Sequence, residues 1–219
     1  LTIVTAIVMS YGLAQDIFVL AETGTAEQVR EAIDAGADVN ARDGDGVTVL
    51  MVASHVGAAD IARILIGAGA DVEARDRWEA TPLIYASEGG NAEVVQLLID
   101  SGANIEARDD TGATPLLWAS SRGNTDVVQA LLAAGANIET RDHFGTTPLM
   151  IASRHGNADV VQALLDVGAD IEARDDVGAT PLMWASFHGN ADVVRTLLAA
   201  GANIETRDDV GSTPLMRAS

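Results

Sequence analysis

The tripeptide Thr-Pro-Leu stands at Thr81-Pro82-Leu83, Thr114-Pro115-Leu116, Thr147-Pro148-Leu149, Thr180-Pro181-Leu182 and Thr213-Pro214-Leu215, each 33 residues after the last. Thr48-Val49-Leu50 keeps the step one period earlier with its Pro lost. A second block, Gly-Ala-Asp or Gly-Ala-Asn running on to Arg-Asp, starts at Gly36, Gly69, Gly102, Gly135, Gly168 and Gly201, in phase with the first. Self-similarity at this period restricts the chain to a stack. One such unit cannot bury its apolar face alone, so neighbours must complete the core.

One repeat, Asp76 to Arg108, shows the local physics. Thr81 is suited to cap a helix with its hydroxyl, and Pro82 fits the first helical position, where a missing N–H costs nothing. Leu83, Ala86 and Ser87 give that short helix a small-residue face. Gly89-Gly90 turns the chain, and Asn91 is expected to cap a second helix with Val94, Val95, Leu97 and Leu98 as its apolar stripe. Gly102 falls where a left-handed helix end is expected. Ala103 to Ala113 then crosses to the next repeat as an extended finger with a turn in it.

Two blocks in phase over six copies resemble the ankyrin repeat family, from about Asp16 to the last residue. The resemblance implies an all-α repeat solenoid of stacked helix–turn–helix repeats joined by β-turn fingers. In the family's register the full repeats run 43–75, 76–108, 109–141, 142–174 and 175–207. A divergent opening repeat covers 16–42, and 208–219 begins another. No linker or change of composition interrupts them, so residues 16–219 read as one repeat domain. One departure stands out: the family usually places His after Thr-Pro-Leu, where its ring ties repeats together. This chain has Met51, Ile84, Leu117, Met150, Met183 and Met216 there, which puts that tie in doubt and makes looser packing the expectation.

Composition narrows the function. The 13 cations are all Arg and face 32 Asp and Glu, for a formal charge of −19. That argues against binding nucleic acid through its phosphates or binding anionic lipid, both of which need a basic face. Without Cys there is no disulfide, thiolate metal site or cysteine nucleophile. The histidines, His55, His143, His155 and His188, make no zinc motif. Asp43-Gly44-Asp45 lacks the later ligands and closing Glu of a calcium loop. No nucleophile elbow or phosphate loop appears, so we expect no enzyme in this stretch, no metal and no cofactor. The recurring Arg42, Arg75, Arg108, Arg141, Arg174 and Arg207, with Glu73, Glu106, Glu139, Glu172 and Glu205 two places earlier, are read as an Arg–carboxylate ladder on a solvated edge.

Residues 1–15 form an apolar segment whose first 14 residues carry no charge. They fit the end of a secretory signal, with Gly12 and Ala14 before a cleavage at Gln15, better than a membrane span. That reading places the protein outside the cytoplasm, secreted or periplasmic. The alternative is an apolar lead-in helix on a cytoplasmic protein. Leu1 in place of Met, and a last stretch that opens a helix, lead us to expect a piece of a longer protein.

Ankyrin proteins usually dock partners on the concave face, at the finger tips and the exposed side of the first helix. Carried over, positions two, three, five, thirteen, fourteen and twenty-six of four successive repeats include Arg77, Trp78, Glu88, Arg122, His143, Phe144, Arg154, His155, Phe187 and His188. Those four repeats hold three Arg and three acids at these positions, hence no net charge on a chain at −19. Exposed aromatic and Arg residues are the types enriched in binding hot spots. The expectation is a monomeric protein-binding module with Trp78, Phe144 and Phe187 as anchors. No nucleic acid is expected as a partner, and no membrane insertion of the repeats. Affinity should change between about pH 5.5 and 7.5 through the histidines. The rival readings are a structural spacer, or a regulatory arm of an enzyme or channel encoded outside this stretch.

Overall fold

The computed structural model describes residues 17–218. The possible leader therefore lies outside the described residues. Within them the regular structure is helical, with a single isolated bridge between Arg42 and Thr48 and no strand.

The packing divides between Ala107 and Arg108 into two compact units. The first contains α1 (17–23), α2 (Ala26–Asp34), α3 (Val49–Val56), α4 (Ala59–Gly67), α5 (Pro82–Gly89) and α6 (Ala92–Asp100). Here α3 pairs with α4 and α5 with α6, while α3 stacks on α5 and α4 on both α2 and α6. The second contains α7 (Pro115–Arg122), α8 (Thr125–Ala133), α9 (Pro148–His155), α10 (Ala158–Asp166), α11 (Pro181–Phe187), α12 (Ala191–Ala199) and α13 (Pro214–Arg217). First helices α7, α9, α11 and α13 stack in order, and second helices α8, α10 and α12 do the same beside them.

The helices start and stop where their residues dictate. Each first helix of the full repeats opens on a Thr whose hydroxyl accepts the N–H three residues on, as Thr81 does from Ile84 at 3.4 Å. Four of the five close on a left-handed glycine: Gly57, Gly90, Gly123 and Gly156. The Met, Ile and Leu in place of the family's His are fully packed in the five full repeats, whereas Met216 in the last, partial one is 58% exposed. Met51, Ile84, Leu117, Met150 and Met183 are all at most 2% exposed, so the expected looseness is absent.

The tie between repeats comes from elsewhere. Asn91 makes no cap bond, contrary to expectation. Its Nδ2 donates to the carbonyls of Ser54 and His55, at 3.1 and 2.8 Å, in the repeat before. Asn157 reaches Ser120 and Ser121 in the same manner, and Asn190 reaches Ser153 and Arg154. These carbonyls lie in the last turn of a helix, where i+4 donors run out, so a neighbour's amide helps satisfy them.

The arginine ladder is also corrected. Arg42 donates to the carbonyls of Gly46 and Arg75, Arg108 to those of Gly112 and Arg141, and Arg141 to those of Gly145 and Arg174. Glutamates take backbone N–H groups of the next repeat: Glu73 from Asn104, Glu139 from Asp170 and Glu172 from Asn203, at 2.7–2.8 Å. Charged side chains thus saturate turn backbone that would otherwise lie unpaired. Arg75 in this row also pairs with a carboxylate, Glu79 of the following finger, at 3.3 Å.

Candidate protein-binding site

Every finger is built on the Asp that opens its repeat. Its Oδ1 accepts the N–H groups two and four residues on: Trp78 and Ala80 for Asp76, Phe144 and Thr146 for Asp142, Val177 and Ala179 for Asp175. This turn holds the second and third residues of the repeat at the tip, with the third standing free of the core. Asp43 uses its Oδ1 in the same way, on Asp45 and Val47. Among the described residues no three His, Asp or Glu stand close enough together to hold a metal.

In the first unit, Arg77 donates to Asp45 Oδ1 at 2.5 Å and covers the Trp78 ring at 4.0 Å from its centroid. Trp78 keeps 40% of its surface exposed. Glu88, half-buried, lies 4.0 Å from the exposed His55, whose ring stands edge-on to Tyr85. The Tyr85 hydroxyl donates to Asp76 Oδ2, and burial together with that carboxylate drives its pKa far above the ordinary phenol value.

The second unit holds the other seven expected residues. Phe144 is 69% and Phe187 60% exposed, the first on a finger tip and the second at the end of α11. Phe187 meets His188 edge-on, and His188 stacks on Trp184 with ring centroids 5.6 Å apart. Arg122 lies over Trp118 and Arg154 over Trp184, at 5.7 and 5.3 Å. His143 sits exposed on the finger beside Phe144. Burial first, then the charges of Arg154, His188 and Arg122, hold the His155 imidazole below its ordinary pKa.

A cleft of about 540 Å³ opens in this unit. It brings Phe144 and Arg154 together with Trp118, Ile151, Asp142 and Trp184, while Arg122, His143, His155, Phe187 and His188 lie outside its lining. The two tryptophans do more than fill space. Trp118 Nε1 donates to Asp109 Oδ2 at 2.8 Å and Trp184 Nε1 to Asp175 Oδ2 at 2.9 Å, so each indole is held upright as a wall. The signal that would have found them is the recurrent spacing from Asp to an aromatic donor, Asp76–Tyr85, Asp109–Trp118 and Asp175–Trp184.

Profiles of known families match nearly the whole described chain. One built from three ankyrin repeats matches residues 17–109, 68–142 and 105–175, and one built from a single ankyrin repeat matches 177–209. The chain belongs to the ankyrin repeat family. Among solved structures, this ankyrin protein is similar to the ankyrin repeat domain of human ASB11. The two share 29% identity at a TM-score of 0.86, covering 93% of this chain and 91% of that one. A search of curated proteins returned no match. As many as 620 solved chains share the likeness, so the ankyrin fold alone selects no partner. Ankyrin repeats in general bind other proteins and are typically not catalytic.

Proposed function

We propose that the chain is a non-catalytic, monomeric protein-binding module that docks a partner at its finger tips and first-helix ends, on the face that is concave in this family. The observation that carries this is the exposure of Trp78, Phe144 and Phe187, at 40, 69 and 60%, in a protein with only eight aromatic side chains. Burying three such rings against a partner contributes roughly 1.5–3 kcal/mol each before the costs of association. Arg154, set over the Trp184 indole, is held for pairing with a carboxylate of the partner. The remaining surface is acidic, which disfavours nucleic acid as the ligand.

The test compares wild type with Trp78→Ala/Phe144→Ala/Phe187→Ala, once circular dichroism shows both equally helical. Affinity capture from the source cell identifies the partner, and calorimetry on purified components then measures it. The triple variant should lose at least tenfold in affinity. Equal binding by both forms removes this face from recognition and leaves the spacer as the better account.

A further inference from the structure

Nine places after the Asp that opens each repeat stand Val52, Tyr85, Trp118, Ile151, Trp184 and Arg217. Where that residue bears a donor, it reaches the second oxygen of its Asp. Tyr85, Trp118 and Trp184 do so through a hydroxyl or indole N–H. Arg217 does so through Nε at 3.0 Å, with Nη2 on the same oxygen of Asp208. Ile151 has nothing to donate. Asp142 therefore accepts Phe144 and Thr146 N–H through Oδ1, while Oδ2 has no donor among the described residues. Ile151 is also smaller than the indoles on either side, and the space it leaves is the cleft between Trp118 and Trp184. Asp43, opposite Val52, shares the missing donor but lines no such cleft.

The charge of the cleft favours a cation. Asp142, Asp175 and Asp176 line it against one guanidinium, Arg154. The walls are aromatic, and a planar guanidinium both stacks on indole and places two N–H groups on one carboxylate. The chain shows this solution within the same unit, where Arg217 fills the equivalent place over Asp208. We propose that the cleft over Ile151 receives an arginine side chain of a protein partner, its guanidinium on Asp142 Oδ2 and its stem between Trp118 and Trp184. This assignment rests on the protein-binding reading above and adds to it the chemistry of one contact.

The test is an NMR titration of the whole chain with N-acetyl-arginine methylamide, with the citrulline analogue as an uncharged control and the lysine analogue as a second cation. The indole N–H signals of Trp118 and Trp184 should shift and saturate in the millimolar range while that of Trp78 stays still. Citrulline, lysine and the variant Asp142→Asn should each weaken binding about tenfold, the scale of one charge-assisted pair. Ile151→Trp supplies the missing indole N–H from within and should abolish binding with no loss of thermal stability. Overturning results are an absence of saturable shifts, equal binding of citrulline, tighter binding of lysine, or an Asp142→Asn variant that binds as wild type. If a partner captured by wild type binds Asp142→Asn and Ile151→Trp undiminished but loses the aromatic triple variant, the cleft assignment falls and the protein-binding reading stands. If the arginine probe binds as expected but no partner depends on the aromatics, the protein-binding face falls instead.

Discussion

At the scale of single residues, the same type serves different ends according to what its neighbours leave unpaired. An Asp at the head of each repeat shapes a turn with one oxygen, and at Asp76, Asp109, Asp175 and Asp208 the other receives an aromatic or guanidinium donor. Within the second unit, Asp142 is the one whose second oxygen has no donor among the described residues. His155 shows how environment sets a charge. Its depressed pKa means the folded chain holds that proton more weakly than the unfolded chain does. Its contribution to stability is complete above the unfolded value near pH 6.5 and is lost as pH falls from there through its own lower value. Urea unfolding between about pH 5 and pH 8 should show wild type weakening on the acid side more than His155→Gln. Parallel curves would mean that the imidazole titrates alike in both states.

At the scale of elements, the fingers are near-copies of one turn. Its fourth residue adopts positive φ in each, and that residue is glycine at Gly46, Gly112, Gly145, Gly178 and Gly211. In the repeat 76–108 the place is held by Glu79 at φ 61°, the only non-glycine with positive φ among the described residues. A left-handed non-glycine residue costs roughly 1–2 kcal/mol, part of which glycine's greater freedom in the unfolded chain offsets. The exposed contact with Arg75 returns little. Glu79→Gly should therefore stabilise the protein by about 0.5–1 kcal/mol in chemical denaturation. A loss of stability would show that the Arg75 contact outweighs the strain.

At the scale of the molecule, what holds repeat to repeat within each unit is a buried aliphatic core crossed by amide, arginine and glutamate bonds to backbone. Asn157 is the cleanest probe of this. Its amide satisfies two carbonyls of the preceding repeat, and its oxygen lies where any side chain at Gly123 would have to stand, 2.8 Å from the place of a Cβ. Asn157→Ala should cost about 1–3 kcal/mol, because the carbonyls it covers are left dry. A cost below about 0.5 kcal/mol in equilibrium unfolding would mean that water replaces the amide there.

By itself the sequence determined the repeat, the helix pairs, the Thr caps of the first helices and the aliphatic core, because each is set by residues a few places apart in the chain. The exposure of Phe144 on its finger tip and of Phe187 at the end of its helix was likewise legible, since both stand at places the repeat leaves unfixed. The partners of Asn91, Arg141 and Glu139 were not legible. Each bonds backbone about a full period away, and only stacking at a definite rotation brings those groups within 3 Å of one another. The part played by Trp118 and Trp184 was hidden for the same reason. Their role as walls depends on the space above Ile151, and that space exists only once three successive first helices lie side by side. Period and capping are local chemistry; a cleft is the difference between neighbouring side chains that tertiary packing sets next to one another.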